Sequence, residues 1–272
     1  MDPMTIRVRE IRLRDRSDFQ VRVAGLEKGV SYPLGTDRFE IDHGEDYFAF
    51  FDRLGTLTYL AALDGDRVVA VLAGMLRRIP AAPGKRLRRV WYSGDLKVDP
   101  DYRGQRIPWK MLLHAFPRKY PICSRGYAIS MNPGDGSENR VVRLLSTFWV
   151  APTRVATTLH LYSLDAESMR GLAPILESSR GPLSYLSLAG KKDIVLESTG
   201  KPMPLLHVQF GPCAESGIPW PIDGSVHMFC VPAGDPVESD LSAQGHVPSA
   251  TATVLAHRMK RWDWRFILTS DI

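Results

Sequence analysis

The chain has 272 residues, 44% of them hydrophobic and 24% charged, which is the composition of a globular protein long enough for one large domain or two small ones. Its formal net charge is +5, and no apolar run approaches the ~20 residues needed to span a bilayer. The opening MDPMTIRVRE lacks the apolar core of a secretion signal, and Cys123, Cys213 and Cys230 are isolated residues that suggest neither a disulfide framework nor a zinc site; the expectation is a cytoplasmic protein without a bound metal.

In chain order, Ile6 to Leu13 alternates and suits a first strand. Asp15 to Gly29 places Phe19, Val23 and Leu26 at helical spacing, with cap candidates from Asp15 to Asp18. Tyr47, Phe48, Phe50, Phe51 and Leu54 form a second apolar helical face. Leu57 to Ala62, the turn Asp64-Gly65-Asp66 and Val68 to Leu76 read as a hairpin. Residues 77–89, RRIPAAPGKRLRR, carry six basic side chains and no acidic one. A strand from Val90 to Val98 follows, then a turn opened by Asp99-Pro100, an Arg-Gly loop and a helix rich in Leu and Met. Tyr127 to Met131 reads as a strand, Glu138 to Thr147 as a helix and Thr153 to Leu161 as a further strand.

The stretch from Trp91 to Phe116, WYSGDLKVDPDYRGQRIPWKMLLHAF, carries the most chemistry. A strand that delivers a glycine-bearing loop into a helix start brings free backbone N–H groups and the positive end of the helix dipole together, which suits a phosphate or pyrophosphate. An ordinary strand-turn-helix corner, with Gly104 at a turn, is the plain alternative.

LKVDPDYRGQRIPWKML resembles the acetyl-CoA-binding motif of the GNAT (Gcn5-related N-acetyltransferase) superfamily. Leu96 and Val98 match the apolar ends of its strand triplet, Arg103 its first loop position, Gly104 and Gln105 the two free positions, and Met111 to Leu113 its helix. Arg106 and Pro108 stand where the motif has small residues. Pro108 has no N–H to offer a phosphate but suits a first helical turn, while Arg106 could supply a charge-assisted bond. MNPGDGSENRVVRLLSTF, residues 131–148, is similar to the family's next landmark, an Asn-initiated loop and helix. The order of elements agrees with the family over roughly residues 5 to 163.

The resemblance implies an α/β fold with a GNAT-like central mixed sheet flanked by helices. It implies an acyltransferase that moves an acetyl or longer acyl group from a CoA or carrier-protein thioester to an amine, by direct attack in a ternary complex. Its co-substrate would be acetyl-CoA or another acyl-CoA, with no metal. Backbone groups of Leu96, Lys97 and Val98 would pair with the pantetheine. The loop Arg103, Gly104, Gln105, Arg106, Ile107 and Pro108, with Asn139 at the later helix, would complete the coenzyme site. A base is needed to free the attacking amine, and Tyr92 and Asp95 are the local candidates; Asp95 could equally be a surface acid or bind the acceptor's ammonium. The position where the family often has a tyrosine acid falls on Ser146. His114, among apolar residues, reads as a core or surface histidine.

A small-molecule amine is the expected acceptor. The basic run 77–89 reads as a solvated connection, as a dock for an acyl carrier protein, or as a contact to the coenzyme's phosphates. It lacks the interleaved aromatics of a nucleic-acid surface. A GNAT-fold binding or regulatory protein with an altered coenzyme loop, or an aminoacyl-tRNA-dependent transferase, are the alternatives. Residues 1–163 are expected to form the acyl-CoA-binding domain. Residues 164–272 read as a β-rich segment packing on it, on the acceptor side or as a degenerate second GNAT-like half, with strand-like runs at Leu205 to Phe210, Val226 to Val231, Thr251 to His257 and Arg265 to Leu268. Trp220, Trp262 and Trp264 are candidates to line an acceptor pocket there.

Overall fold

The hairpin after residue 55 seeds a sheet that crosses the whole molecule. In the computed structural model, which describes residues 6–272, the elements run β1 (Arg7–Ile11), α1 (Arg16–Glu27), β2 (Tyr32–Leu34), β3 (Asp37–Asp42), α2 (Ala49–Asp52), β4 (Thr56–Asp64), β5 (Arg67–Pro80), β6 (Leu87–Val98), α3 (Ile107–Lys119), β7 (Gly126–Met131), α4 (Arg140–Ser146) and β8 (Arg154–Leu164). The second half continues with α5 (Ala166–Arg180), β9 (Ser184–Leu186), β10 (Asp193–Leu196), β11 (Leu205–Gln209), β12 (Val226–Pro232), α6 (Pro236–Ala243) and β13 (Ala250–His257). Of the opening segment read for a signal core, residues 1–5 lie outside the described residues.

Ten strands form one mixed sheet in the order β1-β4-β5-β6-β7-β13-β8-β12-β11-β9. The β4–β5 hairpin closes on a two-residue turn, with Asp64 opposite Arg67 and Gly65 at φ +56°, the left-handed backbone that tight hairpin turns require. Each half of the chain supplies one parallel pair, β6 with β7 and β11 with β12. Each pair is followed by a helix, α4 or α6, and a closing strand, β8 or β13. The closing strands lie side by side, and each is hydrogen-bonded to the other half's parallel pair: β13 to β7, β8 to β12. The two halves are thus built on the same plan and exchange their last strands across the centre of the sheet.

Two helices of the second half went unread in the sequence. Helix α5 is capped by Asp165, whose carboxylate accepts the Ser168 N–H, and buries Met169, Leu172 and Leu176; α6 is capped by Asp235 and buries Val237 and Leu241. Both cover the β8–β12–β11 face, in one apolar cluster with Tyr162, Val208 and Phe229. The expected strand at Arg265 to Leu268 is instead a short 3-10 turn, Trp264–Phe266, running into extended chain. It is held by burial of Trp264, Phe266, Ile267 and Leu268. Beyond it, Asp271 accepts from Arg77 at 3.0 Å, both side chains being buried.

That pair also changes the reading of residues 77–89. They are the end of the β5–β6 hairpin, paired as far as Pro80 with Leu87, and Arg77 belongs to the core. Arg78, Lys85, Arg86, Arg88 and Arg89 remain exposed.

A second sheet, of three strands in the order β10-β3-β2, combines a hairpin of the first half with a strand of the second. Tyr32, Leu34, Phe39, Ile41, Ile194 and Leu196 form an apolar cluster on it with Met228. Each strand does alternate, at Tyr32 and Leu34, Phe39 and Ile41, Ile194 and Leu196, but two apolar positions apiece are too few to stand out in the sequence.

Candidate active site

Strands β6 and β7 pair only at Trp91 with Gly126, Tyr92 with Tyr127 and Ser93 with Ala128. Beyond Ser93, β6 pairs with β5 alone, while β7 pairs with β13. The two strands therefore part into a wedge. A cavity of about 1090 Å³ occupies it, reaching from the loop at the start of α3 to Lys192, Ile194, His207, Met228 and Thr269 of the second half.

The loop end of the cavity is anchored from behind. Asp99 accepts from the Asp101 N–H at 3.0 Å and from Arg67 at 2.7 Å, and the Tyr102 hydroxyl donates to Asp64 at 2.8 Å. The chain then turns through Gly104 at φ +82° and Arg106 at φ +57°, a conformation costly for a residue with a β-carbon. Among the described residues, no backbone carbonyl takes the N–H of Gly104, Gln105, Ile107 or Trp109. Arg103 is exposed and Ile107 is fully buried beneath the turn. Pro108 occupies the second helical position and offers no N–H, which leaves those four donors and the guanidinium groups of Arg103 and Arg106 around one mouth.

Strand β6 carries a bulge opposite the Val71–Ala73 segment of β5, with Asp95 at φ +51°. The extra residue shifts the alternation by one. Leu96 and Val98 consequently pack with Ile107 and Met111 of α3, whereas Asp95 and Lys97 point to the opposite face. There the Asp95 carboxylate, fully buried, accepts from the Tyr47 hydroxyl at 3.0 Å, from the Tyr59 hydroxyl and from Lys97. Burial pushes the Asp95 carboxyl up, but the Lys97 ammonium and these hydrogen bonds outweigh it and hold the group below the usual carboxylate range. Lys97 also pairs with Glu27 at the end of α1. Burial raises the Glu27 carboxyl, and its Oε1 is buried without a partner.

His43 lines the cavity next to this cluster. Its Nδ1 lies 3.2 Å from the Lys191 carbonyl; a carbonyl only accepts, so Nδ1 carries the hydrogen and Nε2 a lone pair. That Nε2 is 3.7 Å from Glu27 Oε2. Burial lowers the imidazole to about 4. His207 is ordered in the same way: Thr269 donates to the Met228 carbonyl at 2.8 Å and so accepts from His207 Nδ1 at 3.0 Å.

Of the sequence-derived candidates, Tyr92, Asp95, Leu96, Lys97, Val98, Arg103, Gly104, Gln105, Arg106, Ile107, Pro108 and Asn139 all line the cavity. Tyr92 stacks on Tyr127 at 4.8 Å, and burial drives its phenol far above the ordinary tyrosine value. Asn139 caps α4, accepting from the Val141 and Val142 N–H groups and donating to the Met131 carbonyl; its amide is spent on holding α4 to β7. Ser146 is not brought into the site. It ends a helix of only two turns and is exposed, while Leu144 and Thr147 face the cavity. Trp220 is 64% exposed and Trp264 is buried against Tyr127, and neither they nor Trp262 line the cavity. Glu27, His43, Tyr47, Tyr59, Lys192 and His207 gave no motif in the sequence, because each meets the site only through tertiary contacts.

No protein-family model matches the chain. An uncharacterised protein of Acanthamoeba polyphaga mimivirus is 24% identical over 233 residues, spanning 84% of this chain and 68% of that one. Among solved structures, a tandem GNAT protein from the clavulanic acid biosynthesis pathway superposes with a TM-score of 0.50 and 10% identity, covering 95% of this chain and all of its own. A GCN5-related N-acetyltransferase of Kribbella flavida gives 0.45 and 13%, over 93% of this chain and 71% of its own. The end-to-end match to a tandem protein agrees with the two like-built halves and their exchanged strands: the chain has a tandem GNAT fold.

Proposed function

We propose that the protein is an acyl-CoA-dependent N-acyltransferase. The observation that carries this reading is the wedge between β6 and β7, which exposes the β6 backbone at Leu96, Lys97 and Val98 along a cavity that begins at free N–H groups and two arginines. A pyrophosphate fits the loop 103–108 by charge and by donors, and an extended pantetheine arm fits the unpaired strand edge. The thioester then lies near Tyr92, where the strands part, and the amine enters from the end lined by His43 and the second half.

The amine nitrogen attacks the thioester carbon, the C–S bond breaks, and the nitrogen gives up a proton. Asp95 is a poor acceptor for it, since its oxygens are filled and its carboxyl is held low; its role is to fix Lys97 and the bulge. His43 Nε2 carries a lone pair inside the cavity, and burial keeps the imidazole unprotonated, so it is free to take the proton as the acylated nitrogen, far more acidic than the free amine, releases it. The Tyr92 hydroxyl, which has no protein partner among the described residues, is placed to donate to the carbonyl oxygen or the departing sulfur. The acceptor is a small amine, and the exposed basic hairpin end is not part of the reaction site: none of residues 77–89 lines the cavity.

Titration calorimetry with acetyl-CoA, followed by thiol release in the presence of amines, tests the reading. Binding and amine-dependent thiol release are expected. A folded protein that binds no acetyl-CoA would make it a GNAT-fold binding protein with an altered loop.

A further inference from the structure

Lys192 sits at the acceptor end of the cavity and is only 9% exposed. Its ammonium lies 4.4 Å from the centre of the Phe50 ring and has no hydrogen-bond or ion-pair partner among the described residues. The other charged groups near it are already matched. Arg53 donates to the Ser270 carbonyl at 2.5 Å and pairs with Glu215, and Lys97 holds both Glu27 and Asp95. The two histidines nearby, His43 and His207, are neutral by burial.

A buried, unpaired ammonium is costly to fold. Burial lowers the Lys192 amine to about 7, with Arg53 and Lys97 adding to the effect and Glu27 and Asp95 opposing it. An incoming anion would reverse that penalty, because it supplies the missing counter-charge in a site of low dielectric. Around Lys192 the walls are apolar: Phe50, Phe51, Leu34, Phe39 and Ile194 line the same chamber.

Building on the acyltransferase reading, we propose that the acceptor is an amine that also bears a carboxylate on an apolar body, such as an aromatic or aliphatic amino acid, and that Lys192 binds the carboxylate. The amine end then points from Lys192 toward His43 and the wedge. Lys192 acts here as the residue that selects the acceptor.

The test uses probes that cannot react. 3-Phenylpropanoate and 3-phenylpropanamide are titrated by calorimetry into wild-type protein and Lys192→Met at pH 6.5, with acetyl-CoA as a separate titrant. The carboxylate is expected to bind wild type at least tenfold more tightly than the amide, and Lys192→Met is expected to lose that preference while binding acetyl-CoA as wild type does. Lys192→Arg, which keeps the charge, should retain part of the preference. Equal binding of the two probes to wild type, no binding of either, or an unchanged preference in Lys192→Met would overturn the assignment. Loss of acetyl-CoA binding in wild type would overturn the acyltransferase reading instead, so the two failures are told apart.

Discussion

Gly44 and Gly190 meet backbone to backbone: a β-carbon at position 44 would lie 2.2 Å from the Gly190 carbonyl oxygen. This contact joins the loop that carries His43 to the loop that carries Lys192, and so assembles the proposed acceptor end of the cavity from two halves of the chain. Gly44 also has φ +66°. Gly44→Ala therefore combines a backbone clash with a strained conformation and should cost on the order of 1–3 kcal/mol in denaturant unfolding. Acetyl-CoA affinity, set at the other end of the cavity, should stay within about twofold of wild type.

The proposed coenzyme loop makes a sharper distinction. Arg103 is exposed and none of its side-chain nitrogens is committed to another protein group among the described residues. Arg103→Ala should weaken acetyl-CoA binding by roughly 1–3 kcal/mol, the range for a charge-assisted bond, with the melting temperature unchanged. Pro108→Ala restores an N–H at the helix start and should hold or improve the affinity. An unaltered dissociation constant in Arg103→Ala would take that residue out of the site.

His43 and Tyr92 should affect rate more than binding. His43→Gln removes the lone pair proposed to receive the proton, and a loss of about 10²–10⁴-fold in kcat is expected with little change in acetyl-CoA affinity. Tyr92→Phe keeps the stack on Tyr127 and loses only the hydroxyl; a fall in kcat at unchanged stability is expected. A drop in melting temperature matching the drop in rate would mean that either residue serves the fold alone.

Lys192 also predicts a pH dependence of stability. Its folded-state value of about 7 lies below the ordinary lysine value of 10.5, so between these the unfolded chain binds more protons than the native one. Stability then rises with pH across that window, because its slope follows the excess of protons on the unfolded state. In Lys192→Met this contribution to the rise should disappear, and the variant should be more stable than wild type near pH 6.5, by about 1–3 kcal/mol for relief of an unpaired buried charge. Urea unfolding at pH 6.5 and 9 measures both effects. A wild-type protein whose stability shows no larger rise than that of Lys192→Met would show that the ammonium is well solvated in the native state.

Residues 164–272 are expected to be inseparable from the rest. A chain ending at Leu164 loses β13, which pairs with β7 from Gly126 to Met131 and with β8 over much of its length, and it loses the Asp271 partner of buried Arg77. Such a chain should be insoluble or partly unfolded, as gel filtration and circular dichroism would reveal. A soluble, cooperatively unfolding fragment with full acetyl-CoA affinity would show instead that the first 164 residues close their own sheet.

What could be read in the sequence was local. The strand, loop and helix from Leu96 to Leu113 are neighbours in the chain, so their geometry is written in consecutive residues, and the coenzyme-loop candidates gather at one mouth. The acceptor end was hidden for the opposite reason. Glu27, Tyr47, Asp95 and Lys97 meet only because α1, the segment before α2 and a bulge in β6 converge, and a bulge does not show in an alternation pattern. Tyr47 looked like one more aromatic on an apolar face. Ser146 was misplaced because the register of a short helix cannot be carried from a distant family without error. Helix α5 did leave a signal, Asp165 as cap and Met169, Leu172 and Leu176 at helical spacing, obscured by Gly171 and Pro174 within it.

The exchange of closing strands also has a consequence during synthesis. The open edge of β7 has to wait for β13, more than a hundred residues later in the chain, before it finds its neighbour. Until then a nascent chain presents an unpaired strand edge and the apolar faces beside it, the circumstance in which edge-to-edge aggregation competes with folding. The central pairing is therefore a late event by topology. Slow refolding, and a yield that falls with protein concentration, would be its experimental mark.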